Sequence, residues 1–148
     1  MENVNFLDIE SSEIEVVSTS FVYPKGTYAL RLEKVQQIDG DSMSRFLLSF
    51  VIEDVYDIDS TIDITKIVGK KIADSIAIFN NSQEAITESL GKLKFALLQC
   101  GANPETKGTL SDLANSAIGQ ITNHAVFASA GKDGVTRNRI DWAARKQK

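Results

Sequence analysis

Apolar and polar residues alternate along several stretches of the chain, and one long stretch between them follows a different period. Over residues 27–35, Tyr28, Leu30 and Leu32 fall on one side and Thr27, Ala29, Arg31 and Glu33 on the other. A period of two marks a strand with one face buried. Residues 45–53 repeat it, with Phe46, Leu48, Phe50 and Ile52 opposite Arg45, Leu47, Ser49 and Val51. Asp39-Gly40 predicts a hairpin turn between the two. Residues 54–68 are acidic and polar and predict a long loop. A third strand opens at Gly69-Lys70-Lys71. Ile72, Ile76 and Ile78 share one of its faces, interrupted by Asp74, and Lys71, Ala73, Ser75, Ala77 and Phe79 share the other.

The period then becomes helical. Asn81 as N-cap with Glu84 three residues on predicts a capping box. Ile86, Leu90, Leu93 and Leu97, spaced four, three and four apart, predict one buried helix face. Gly91 costs this helix about 1 kcal/mol relative to alanine. Gly101 suits the position after the helix, with Asn103-Pro104 as a stop. A shorter helical pattern covers residues 110–117. Alternation returns over residues 121–130 and 135–142, on either side of a tight turn at Gly131-Lys132-Asp133-Gly134.

The order β-β-β-α-(α)-β-β predicts a mainly β (β+α) fold. It fits a five-stranded Greek-key barrel of the oligonucleotide/oligosaccharide-binding type, the OB-fold, with one main helix and a short second helix between strands 3 and 4. An α+β sandwich with the same element order gives a similar pattern. The chain's 148 residues suit one domain. Its predicted parts are an acidic N-terminal arm (1–20), the OB-fold domain (21–142) and a short basic C-terminal tail (143–148).

Charge sharpens this division. The net charge is -4, which alone argues against a polyanionic partner. Yet the arm holds Glu2, Asp8, Glu10, Glu13 and Glu15 with no lysine or arginine. Residues 132–148 hold Lys132, Arg137, Arg139, Arg145, Lys146 and Lys148 against Asp133 and Asp141. Local charge, not the total, decides whether a surface attracts phosphate. No apolar run approaches the roughly 20 residues of a membrane-spanning helix, so no membrane partner is expected. The acidic N-terminus does not resemble a signal peptide. The single cysteine, Cys100, cannot form an internal disulfide, and an intracellular location in a reducing compartment is expected.

Most signatures of catalysis and of metal binding are missing. His124 is the only histidine and Cys100 has no second cysteine at ligand spacing, which argues against zinc. Neither a phosphate-binding glycine loop nor a nucleophile elbow occurs. Asp57, Asp59 and Asp63 begin like a calcium loop, but Ile62 stands where glycine is required and Val68 where a bidentate glutamate is required. No catalytic residue, metal or other cofactor is expected. His124 is expected to be structural or at the surface, and Cys100 to be a small buried apolar group.

The positive evidence lies on the faces opposite the apolar rows. Arg31, Arg45, Lys71 and Phe79 stand there among the small residues Ala29, Ser49, Ala73, Ser75 and Ala77. Cations that track phosphates and rings that stack on bases are what a single-strand-binding surface needs. The same cations would equally solvate an exposed sheet face. Arg137 and Arg139, two residues apart, could clamp adjacent phosphates. Trp142, on the other face of the same strand, is either a stacking platform or a plug that closes the barrel.

Several segments carry a resemblance. They are Pro24-Lys25-Gly26-Thr27-Tyr28, Gly69-Lys70-Lys71-Ile72, Leu93 to Gly101, Leu110-Ser111-Asp112-Leu113, Gly119, and Arg137-Asn138-Arg139-Ile140. In this order, over residues 23–142, the chain resembles the bacteriophage OB-fold single-stranded DNA-binding proteins. The resemblance implies binding of single-stranded DNA without strong sequence preference, in phage replication, recombination or repair. Phage replication or recombination proteins would then be partners, and the protein a monomer or homodimer. It adds Lys70 to Lys71, Arg137 and Arg139 as expected contacts. One departure is the C-terminus, Arg145-Lys146-Gln147-Lys148, where many such proteins carry an acidic tail. The alternative expectation is an OB-fold protein-binding adaptor or virion component that does not bind DNA. A small metal-dependent nuclease is a third.

Overall fold

A computed structural model describes residues 22–40 and 43–145. The arm at 1–20 and residues 146–148 of the tail lie outside the described residues. Five strands run in the order β1 (Gly26–Asp39), β2 (Met43–Tyr56), β3 (Lys71–Phe79), β4 (Ile121–Ala130) and β5 (Thr136–Arg145). Helices α1 (Gln83–Gln99) and α2 (Leu110–Ala117) lie between β3 and β4. The strands form one sheet in the order β3-β2-β1-β4-β5, and every neighbouring pair is antiparallel. The fold is therefore mainly β, a five-stranded antiparallel sheet with two helices. No helix among the described residues is long and apolar enough to cross a membrane.

The first two strands are longer than the alternation predicts, and the cause is visible in their register. Leu32 pairs with Phe50 but Lys34 with Ser49, so Glu33 is an extra residue on β1. Ala29 pairs with Asp54 but Leu30 with Ile52, so Glu53 is an extra residue on β2. Each bulge shifts the inward parity by one residue. Beyond Glu33 the inward residue is Val35, and beyond Glu53 it is Val55. A fixed period of two stops at both glutamates although the strands continue. Residues 54–68 are correspondingly less irregular than expected. β2 takes in Tyr56, and a single 3-10 turn covers Ile64–Lys66. β5 likewise continues beyond Trp142 into the predicted tail, where Arg145 pairs with His124.

The predicted cap of α1 is corrected by one residue. Ser82, not Asn81, is the N-cap, and its hydroxyl accepts from the Ala85 amide at 3.0 Å. Both residue types serve as caps, so composition could not choose between neighbours. A full capping box does form on α2, between Thr109 and Asp112. Gly101 ends α1 at φ +94, a conformation that favours glycine.

Tyr28, Leu30, Leu32, Leu48, Phe50, Ile52, Ile72, Ile76, Val126 and Ile140 form the sheet's contribution to the core. Leu93, Ala96, Leu97 and Cys100 of α1 and Leu113, Ala114 and Ala117 of α2 cover it. Each large side chain buried here contributes about 1.5–3 kcal/mol. Ala29, expected on the outer face of β1, is buried too. His124 is fully buried, bonded through Nε2 to Thr122 Oγ1 at 2.6 Å and set beside Phe50 and Trp142, which makes it a structural residue. Burial pushes the Cys100 thiol up to about 12, so it is a buried apolar group.

The two edge strands approach each other through one side chain. Asp74 of β3, 4% exposed, accepts from the Ile140 amide of β5 at 2.9 Å. It also receives Arg139 Nε at 2.9 Å and, from its own strand, the Ser75 amide at 2.8 Å. Burial pushes its carboxyl above the usual range and outweighs the opposing pull of the Ile140 amide and of Arg139. This explains the carboxylate in the apolar row of β3: it faces β5 and not the core's hydrocarbon.

Candidate functional site

The outer row of β3 lines a groove along the seam between β3 and β5. One part, of about 600 Å³, is walled by Arg45 and Leu47 of β2, Lys71, Ala73 and Ser75 of β3, and Arg137 and Arg139 of β5. The other part, of about 570 Å³, continues past Ser75 and Arg139, which line both, to Ala77, Phe79, Phe95 and Trp142. The small residues Ala73, Ser75 and Ala77 leave the floor low. Four cations therefore border one half of the groove, and three aromatic rings the other.

Several bonds hold these side chains in place. Asn138, between the two arginines, accepts from the Tyr23 amide at 2.7 Å and donates to the Tyr23 carbonyl at 2.9 Å. The Tyr23 hydroxyl donates to the Lys71 carbonyl at 2.9 Å, so the segment before β1 ties β5 to β3 across the basic half. At the aromatic half, the Ser89 hydroxyl of α1 accepts from the Phe79 amide at 3.1 Å and donates to the Ala85 carbonyl at 2.7 Å. That anchors the end of β3 to the helix; Phe79, 51% exposed, and Phe95, 45% exposed, both line this half.

The cations differ in how far their charge is spent. Arg137 pairs with Asp133, which Arg137's hydrogen bonds and the Val135 amide hold down to about 2. Lys71 reaches Glu33 at 3.4 Å, and Arg139 pairs with Asp74. Arg45 makes no ion pair among the described residues.

Of the residues expected at the site, Arg45, Lys71, Phe79, Arg137, Arg139 and Trp142 line this groove. Arg31 does not. It lies on β1 with Nε 2.6 Å from Glu53 Oε1. That pairing follows from the bulge, which brings Glu53 out of step with its strand. Lys70 is exposed just before β3, outside the groove's lining, and its carbonyl accepts from the Ile52 amide at 2.8 Å. Trp142 touches both the core and the groove. Its ring packs on Phe50 at 6.0 Å and His124 at 5.6 Å, and it lines the aromatic half of the groove.

Phe95, Tyr23 and Asn138 belong to the groove and were not among the expected residues. Phe95 carries a signal in the sequence: it is a large aromatic residue out of phase with the Ile86-Leu90-Leu93-Leu97 face. Tyr23 and Asn138 carry none, because their bond joins residues 115 positions apart. Elsewhere, Asp59 and Asp63 are engaged by the amide and hydroxyl of Thr61 and Thr65 within their own turns. No cluster of three or more potential metal ligands occurs among the described residues. No family model matches the chain, and no curated protein matches it either.

Proposed function

We propose that this chain binds single-stranded DNA without sequence preference, as an OB-fold protein of the phage single-stranded DNA-binding kind, in replication, recombination or repair and without catalysis. The observation that carries the reading is the seam groove, with Arg45, Lys71, Arg137 and Arg139 along one half and Phe79, Phe95 and Trp142 along the other. A flexible single strand needs both: cations in a line for its phosphates and ring faces for its unstacked bases. The low floor of alanines and serine suits close approach of a sugar-phosphate backbone. The strand order, the helices between β3 and β4, and the meeting of β5 with β3 at Asp74 support the OB-type barrel as the scaffold.

The acidic partners of Arg137, Arg139 and Lys71 favour a second reading, an OB-fold adaptor or virion component that binds a protein. A surface of mixed charges suits a polar protein interface as well as a polyphosphate. Titration of labelled oligo-dT at low and high salt separates the two. The DNA reading expects binding at low micromolar protein that weakens as salt rises, because bound phosphates release counterions. No binding at low salt would leave the adaptor.

A further inference from the structure

Gly91 stands in the middle of α1, where glycine disfavours a helix. The other glycines have visible reasons. Gly69, Gly101, Gly108, Gly119 and Gly134 take positive φ, and a Cβ on Gly26, Gly40 or Gly131 would come within 3.1 Å of another atom. Gly91 has neither reason: its φ is not positive, and a Cβ there meets no atom within 4 Å. What Gly91 does is line the aromatic half of the groove with Phe79, Phe95 and Trp142. Helical side chains lean toward the helix N-terminus, so Phe95 leans over the turn that holds Gly91, four residues earlier. The absent side chain leaves a recess walled by rings, in a cavity of about 570 Å³, within the size range of ligand sites, about 300–1,000 Å³.

We infer that this recess seats one nucleobase of a bound single strand, over Gly91 and against Phe79 and Phe95. The inference rests on the DNA-binding reading and specifies where a base leaves the sheet for the helix. The recess is continuous with the basic half through Ser75 and Arg139. An occupant must therefore present a flat apolar group here and anionic groups along Arg45, Lys71 and Arg137. A nucleotide chain has both at every position, whereas a peptide has them only where an aromatic side chain adjoins acidic ones. Arg139, and Lys92 with its partner Glu88 at 3.7 Å, line the recess, and the two cations would meet the flanking phosphates.

The test uses the full chain, unlabelled oligo-dT and Trp142, the only tryptophan. Wild type is expected to bind at low salt with a change in Trp142 fluorescence. Gly91→Ala, which adds a helix-favouring methyl group in open space, should raise the melting temperature. Gly91→Leu should melt no lower than wild type, yet bind at least about fivefold more weakly, the loss of one stacked base, with a smaller fluorescence change. A substitution that helps the helix and harms binding has no structural explanation apart from an occupied recess. If Gly91→Leu melts lower, Phe95→Ala replaces it, since that ring is exposed and its loss spares the core. The same weakening is expected. Wild-type affinity in a stably folded Gly91→Leu, or in Phe95→Ala, overturns the inference and leaves the DNA reading intact. Failure of wild type itself to bind at low salt overturns both.

Discussion

Neutralising Asp133 should tighten DNA binding, and the size of the effect follows from the groove's charges. Four cations, Arg45, Lys71, Arg137 and Arg139, share the basic half with two carboxylates, Asp74 and Asp133. Glu33, paired with Lys71 from outside the lining, offsets a third cation, so the surplus is one positive charge. Asp133 grips Arg137 with both oxygens, at 2.7 and 3.2 Å, and is held down to about 2, so acidification cannot neutralise it before other carboxylates are protonated. Substitution can. In Asp133→Asn the amide oxygen can still accept from the Val135 amide, as the carboxylate does at 3.0 Å, so the turn persists. The surplus rises to two. For single strands, each phosphate neutralised contributes about -0.7 to the slope of log K against log salt, so the slope should steepen from about -0.7 to about -1.4. If the two lines converge near 1 M salt, the variant binds about eightfold more tightly at about 50 mM and about threefold at about 200 mM. Fluorescence anisotropy of labelled oligo-dT across that range measures both quantities. Glu105→Gln, which makes the same change in net charge at an exposed residue outside the groove, serves as the control and should leave the slope unchanged. If Asp133→Asn binds no tighter than that control, phosphates do not run past Arg137 and the proposed path is wrong.

Three further outcomes test the scaffold. Asp74→Asn places an amide N–H₂ where the carboxylate accepts from Ile140, Ser75 and Arg139, and should cost about 2 kcal/mol in urea denaturation. Because the Asp74 carboxyl is raised above its unfolded value of 3.8, the folded chain holds that proton more tightly. The resulting stability is complete below the unfolded value and fades as pH rises through the raised one. The stability of wild type minus that of Asp74→Asn should therefore fall with rising pH over this window, and a rise would refute the assignment. Trp142→Ala should cost about 3 kcal/mol, whereas Trp142→Phe keeps the packing on Phe50 and His124, removes an indole N–H that has no partner among the described residues, and should cost far less. Cys100, fully buried with its thiol pushed up to about 12, should react with a thiol reagent only as fast as the protein unfolds; rapid labelling of the native chain would contradict its burial.

The inward rows of β1 up to Leu32, of β2 up to Ile52 and of β3 could be read from alternation alone, and β4 begins and ends where the pattern does. The errors fall where one backbone residue breaks the period. Glu33 and Glu53 each shift the parity, which shortened two predicted strands and hid the pairing that removes Arg31 from the site. On the outer face, the row from Lys71 to Phe79 was legible because β3 has no such irregularity. Its partner wall on β5 was legible as chemistry, in Arg137 and Arg139, but not as a location. The bond that brings the two walls together spans 66 positions, from Asp74 to Ile140. In the sequence Asp74 is only an interruption of an isoleucine row. Phe95 was missed for a different reason: a helix face is assigned by its apolar stripe, and a ring off that stripe has no place in the pattern.

The way β3 meets β5 has a mechanical consequence. β1 and β2 are joined by a ladder running from Thr27–Tyr56 to Asp39–Ser44, and parting them means shearing many backbone bonds together. β3 and β5 share no such ladder among the described residues; polar bonds at Asp74 and the Tyr23 link from Asn138 to the Lys71 carbonyl span the gap. A pull that opens the sheet therefore meets its weakest resistance along the groove. A ligand gripping Lys71 on one wall and Arg137 on the other acts as a brace across that weak line, so the protein it leaves behind yields to a smaller force than the protein it holds.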